Sequence, residues 1–126
     1  MCGSANFSSA MLDLGYEVHG HDLLLDQTAD VLNVNLQSRY KQCILSGQFS
    51  WVHTGTECTT FSAAANPPYR QRGMHIAGWP SHLKSRGRRQ KCQTGNALAD
   101  MTLMVMKWCD AGSTFCSVEN PRTSRL

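Results

Sequence analysis

The chain contains no CxxC pair, no long apolar run, and no Asp or Glu between Cys58 and Ala99. Each gap excludes something. A bilayer span needs about 18 consecutive apolar residues, so no membrane segment is expected. The N-terminus lacks a basic segment followed by an apolar one, which argues against a secretory signal. The six cysteines are scattered singly, so reduced thiols in an intracellular compartment (cytoplasmic or nuclear) are expected rather than a disulfide framework. His19, His21, His53, His75 and His82 form no ligand pair with the cysteines at zinc-finger spacing, so no metal site is expected.

What is present is a single-domain length of 126 residues, 41% hydrophobic and 17% charged, which reads as globular. The net charge of +3 conceals a strong asymmetry. Seven of the twelve Lys and Arg residues lie between positions 70 and 91: Arg70, Arg72, Lys84, Arg86, Arg88, Arg89 and Lys91. A cationic, acid-free segment favours a polyanion, and nucleic acid is the expected partner, because neutralised phosphates release counterions. A solvated basic loop is the bland alternative.

Along the chain, Phe7 to Leu14 has helical spacing with Gly15 placed to end it, and Tyr16 to Gly20 reads as a short strand. Ala29 to Leu32 is a second strand candidate. A helix over about Leu36 to Leu45 follows, with Gly47 as its stop. Phe49 to His53 reads as a third strand. Residues 55 to 93 show no periodicity and hold three of the four prolines, so a single domain with a basic loop at about 63–93 is expected. Ala97 to Trp108 predicts a helix, with Asn96 as N-cap and Gly112 after its end. Thr114 to Val118 reads as the last strand. Alternating strands and helices predict an α/β fold, a doubly wound and mostly parallel sheet with ligands beyond the carboxyl ends of the strands.

Three constellations follow strand or turn positions. Cys2-Gly3-Ser4-Ala5-Asn6-Phe7 is a small-residue turn opening a helix, and Asp22 comes nineteen residues after Gly3. In dinucleotide folds an acid at about that distance bonds the ribose. Cys58 follows a strand and lies outside any apolar run, whereas Cys43, Cys109 and Cys116 sit on apparent core faces. Downstream arginines favour its thiolate and adjacent Glu57 opposes it. Glu119-Asn120-Pro121 directly follows an apolar strand, where partial desolvation would let a carboxyl donate a proton.

Taken in order, these elements resemble the catalytic half of a carbon-5 DNA cytosine methyltransferase with a Rossmann-like sheet, incomplete at both ends. Cys2 to Phe7 resembles the family's first cofactor motif, which implies that Gly3, Ser4, Asn6 and Phe7 contact S-adenosylmethionine. Asp22 stands at the ribose-binding acid and Asp30-Val31 at the adenine contact. Gly55-Thr56-Glu57-Cys58-Thr59-Thr60-Phe61-Ser62 resembles the Gly-x-Pro-Cys-x-x-Phe-Ser nucleophile loop, and Glu119-Asn120-Pro121 resembles Glu-Asn-Val. The resemblance implies catalytic roles for Cys58, Glu119 and Asn120 on a cytosine flipped from its stack. It implies DNA contacts (RNA not excluded) from Ser62, Arg70, Arg72, Arg86, Arg88, Arg89 and Lys91. Glu57 stands where the family has proline, and Pro121 where it has valine. The family's later motifs have no counterpart here, so the expectation is a fragment, a degenerate copy, or part of a split enzyme completed by a missing segment or second subunit.

A second motif competes within the same stretch. Asn66-Pro67-Pro68-Tyr69 resembles the signature of adenine amino-methyltransferases, in which the Asn and a prolyl carbonyl hold the target amino group and the aromatic ring stacks on the base. A non-catalytic nucleic-acid- or cofactor-binding remnant is the third reading.

Overall fold

The computed structural model describes residues 6–22, 26–56, 59–62, 65–66, 68–70 and 85–119. Along them run α1 (Asn6–Asp13), α2 (Val34–Leu45), β1 (Trp51–Gly55), α3 (Arg86–Ala111) and β2 (Phe115–Glu119). β1 and β2 pair in parallel, Trp51 opposite Phe115 through Gly55 opposite Glu119. Parallel neighbours need a crossover, and α3 supplies it.

The expected doubly wound sheet is corrected by this arrangement: among the described residues the sheet has two strands. The candidate strands at Tyr16 to Gly20 and Ala29 to Leu32 do not form ladders. In the second case the cause is local. Asp26 Oδ1 accepts from the Thr28 hydroxyl at 2.7 Å and the Thr28 amide at 2.8 Å, which holds its carboxyl below the ordinary carboxylate range. Asp30 Oδ1 accepts the Leu32 amide at 2.9 Å, and the Asn33 amide turns back to the Asp30 carbonyl. Donors consumed in such Asx turns cannot serve a ladder.

Helix ends follow their chemistry. Asn33 caps α2 by accepting from the Asn35 and Leu36 amides. Gly15 (φ 86°) and Gly47 (φ 72°) close α1 and α2 in paired turns, with Tyr16 N–H to Met11 O and Gln48 N–H to Cys43 O as the longer bonds. α3 ends in the same motif, but its left-handed residue is Ser113 (φ 52°), one position beyond the expected stop. Gly112 is required for a different reason. A Cβ there would lie 2.6 Å from the Ile44 carbonyl oxygen, where α2 and α3 approach.

The core lies between those helices and the sheet. Ile44, Met101, Val105 and Cys109 are its buried centre, flanked by Leu32, Tyr40, Phe49, Val52 and Trp108. Cys116, expected on a core face, is exposed, and Cys43 is half-buried. α3 begins at Arg86, ten residues before the expected cap, so the end of the expected basic loop is helical and Asn96 lies inside the helix. Its first twelve residues, 86–97, include no large apolar residue. The face it buries is small: Cys92, Gly95, Ala99 and Thr102 at helical spacing.

Candidate active site

The parallel register sends both chain exits from the same edge of the sheet. Gly55 ends β1 opposite Glu119, the last residue of β2. Cys58 is three residues beyond Gly55 in sequence and Asn120 one beyond Glu119; both, with Glu57, lie outside the described residues. The loop that carries Cys58 is pinned on either side. Thr56 Oγ1 lies 2.6 Å from Thr102 Oγ1, which itself donates to the Leu98 carbonyl on α3. Downstream, Thr60 and Phe61 are buried at 3% and 0% exposure. A Cβ added to Gly95 would stand 2.3 Å from Thr60 Oγ1 and 3.5 Å from Phe61 Cε2. Gly95 is therefore the seat that admits the returning loop.

Arg70 completes this seat. Its guanidinium sits 3.8 Å from the Phe61 ring centroid and donates to Asn96 Oδ1 at 2.5 Å. Burial lowers its pKa from the ordinary arginine value, and Cys92 opposes that shift. A guanidinium stays charged even so. Arg70 is thus an interior clamp, whereas Arg86, Arg89 and Lys91 are exposed on the first turns of α3. Arg88 is half-buried with its guanidinium 4.1 Å from the Tyr69 ring centroid, and Ser62 is half-buried. Arg72 lies outside the described residues.

Glu119 belongs to a polar cluster across the two strands. His53 is opposite Ser117 in register, and its Nδ1 is 2.9 Å from Ser117 Oγ. Trp51 Nε1 donates to the same Oγ at 3.0 Å. His53 Nε2 is 3.8 Å from Glu119 Oε2, a separation longer than a hydrogen bond. The Phe7 ring stacks on the imidazole at 4.4 Å between centroids and meets Trp51 edge-on at 5.4 Å. The Glu119 side chain remains 67% exposed, open to an incoming ligand.

Of the residues implied for a cofactor, Gly3 and Ser4 lie outside the described residues, and Asn6 is the first residue of α1. Segment 16–22 runs back along α1, since a Cβ on Gly20 would lie 3.3 Å from Ser8 Oγ. Two residues later Asp22 is buried at 8% exposure. Asp30 is exposed with one oxygen committed to Leu32, and the Val31 carbonyl accepts from Gln37 Nε2 at 2.9 Å. An open groove of about 420 Å³ lies nearby, lined by residues including His21, Asp26, Asn33 and Arg39, but by none of Phe7, Asp22 and Asp30.

Sequence reasoning overlooked His53, Ser117 and Trp51. Their signal was period-two spacing: Trp51, His53, Gly55 and Phe115, Ser117, Glu119 alternate along two short strands. Only the pairing register reveals that they meet. Comparison with protein-family models, with curated proteins and with solved structures returned no match.

Proposed function

We propose that the chain carries the base-modifying centre of a carbon-5 cytosine methyltransferase acting on DNA, with Cys58 as nucleophile and Glu119 as the acid facing it. The observation that supports this most is the parallel pairing of Gly55 with Glu119. It starts the Cys58 loop and the Glu119 loop side by side, as a reaction needing both residues on one base requires. The Thr56 and Phe61 anchors hold the two flanks of the Cys58 loop against α3, and pre-positioning of this kind lowers the entropic barrier to attack.

In this reading the Cys58 thiolate adds to carbon-6 of a flipped cytosine across its 5,6 double bond, and after methyl transfer loss of the carbon-5 proton to water expels the thiolate and restores that bond. The Glu119 carboxyl holds a proton at ring nitrogen-3, which lets electron density accumulate at carbon-5. S-adenosylmethionine would supply the methyl group, and Gly3, Ser4, Asn6, Phe7, Asp22, Asp30 and Val31 are the residues that would hold it. Asn120 positions the Glu119 loop. Arg86, Arg89 and Lys91 face solvent on α3 and offer phosphate contacts, with Arg72 as a further cation of the same segment. The adenine reading draws less support, because Arg88 already covers one face of the Tyr69 ring that would stack on the base.

Incubation with S-adenosylmethionine and DNA containing 5-fluorocytosine tests the proposal. A covalent adduct that disappears in Cys58→Ser is the expected result. Salt-sensitive DNA binding without an adduct would instead identify a binding remnant, and methyl label on adenine would favour Asn66 to Tyr69.

A further inference from the structure

We infer that His53 is a positioning residue for Glu119, held in its Nε2–H tautomer by a relay from Trp51 through Ser117. Its catalytic consequence rests on the cytosine reading; the tautomer itself does not.

The hydrogen-bond inventory carries the inference. An indole Nε1–H can only donate, so Ser117 Oγ is an acceptor toward Trp51. The serine proton then remains to be placed, and His53 Nδ1 lies 2.9 Å away. If the hydroxyl donates there, Nδ1 is the acceptor and the neutral ring carries its proton on Nε2. The opposite tautomer would aim the Nε2 lone pair at a carboxylate oxygen 3.8 Å away. Nε2 is buried with no hydrogen-bond partner among the described residues, which leaves the Glu119 carboxylate as the group there that distinguishes an N–H from a lone pair. The Glu119 carboxylate thus favours the Nε2–H tautomer, and the Ser117 hydroxyl is placed to match it by donating to Nδ1. The Phe7 ring stacked at 4.4 Å opposes rotation of the imidazole out of this line.

The gap between Nε2 and Glu119 is about 1 Å longer than a charge-assisted hydrogen bond. Catalytic contacts in ligand-free structures are commonly loose and tighten around the substrate. Closing that gap would turn one carboxyl oxygen toward His53 and leave the other for the base.

The test uses the full chain labelled with ¹⁵N-histidine. Long-range ¹H–¹⁵N correlations at alkaline pH should show His53 as a single Nε2–H tautomer, with Ser117→Ala and Trp51→Phe each producing a mixture. A predominant Nδ1–H tautomer in the unsubstituted chain, or no change in either variant, would overturn the inference. In the 5-fluorocytosine assay, His53→Phe should slow adduct formation about tenfold at saturating DNA, the lower end for a hydrogen bond to a charged group. DNA affinity should stay unchanged, and His53→Gln, which keeps a donor near the Nε2 position, should recover most of the rate. An equal rate in His53→Phe would refute the positioning role. Failure of the unsubstituted chain to form any adduct would remove the cytosine reading, and the tautomer measurement would still decide the relay.

Discussion

Replacing Gly95 by alanine sets two effects of known size against each other. In the interior of α3, alanine is favoured over glycine by about 1 kcal/mol. The new Cβ, however, would stand 2.3 Å from Thr60 Oγ1, closer than side chains tolerate. Thr60 cannot simply swing aside. It is 3% exposed, stiff at χ1 through its β-branch, and followed by the fully buried Phe61. Overpacking of that kind costs about 1–3 kcal/mol, so Gly95→Ala should destabilise the chain by about 1 kcal/mol net. The sign should reverse once the obstruction is gone. In a Thr60→Ala background the nearest remaining atoms are Cβ of residue 60 at 3.4 Å and Phe61 Cε2 at 3.5 Å, ordinary contact distances. There Gly95→Ala should stabilise by about 0.5–1 kcal/mol. Thr60 Oγ1 is buried without a hydrogen-bond partner among the described residues, so its removal strands no partner. Urea denaturation of the four proteins in a double-mutant cycle measures the coupling directly. Additive effects, or a stabilising Gly95→Ala in the unsubstituted chain, would refute the claim that Gly95 seats the loop.

Other expectations are simpler. Ser113→Gly relieves a left-handed residue at the end of α3 and should raise stability by about 0.5–1 kcal/mol in the same urea assay. Asn33→Ala removes the cap on the Asn35 and Leu36 amides and should cost about 1 kcal/mol, with the loss in helix content confined to α2 by hydrogen exchange. Burial pushes the Tyr40 phenol up from 10.0 to about 12, opposed in part by Arg39. Its folded pKa lies above its unfolded one, so its stabilising contribution is complete below pH 10 and disappears as pH rises towards 12; the loss should vanish in Tyr40→Phe. Burial foremost, then Cys116, raises the Cys109 thiol to about 11, so iodoacetamide at neutral pH should modify exposed Cys116 and spare Cys109 in mass spectra of native protein.

The legible parts of the fold were those settled by neighbours in sequence. Gly15 and Gly47 stop their helices because only the left-handed backbone closes those turns, and both are apparent without any tertiary contact. The segments around β1, α2 and β2 were apparent from apolar patterning to within a few residues. Two further strands were expected and did not form. A short apolar segment is compatible with a ladder or a turn, and Asp26, Asp30 and Asn33 spend the backbone donors locally. The first ten residues of α3 were hidden for the opposite reason. Their buried face consists of Cys92 and Gly95, small residues with little hydrophobic signature, and Thr60 and Phe61 press against Gly95.

The site divides along the same line. Composition and order alone determined that a lone cysteine precedes a cationic segment free of acids, and that Glu119 closes an apolar strand. Tertiary structure decided which of these residues meet. Gly112 follows the end of α3 as expected, and it is also the close approach of that helix to Ile44; Arg70, expected among the phosphate contacts, is a buried clamp on Phe61. His53, Ser117 and Glu119 converge because two strands, separated by most of the second half of the chain, pair in one parallel register. Local chemistry is written in residues a few positions apart, whereas such a register depends on which faces a long crossover helix can bury at once.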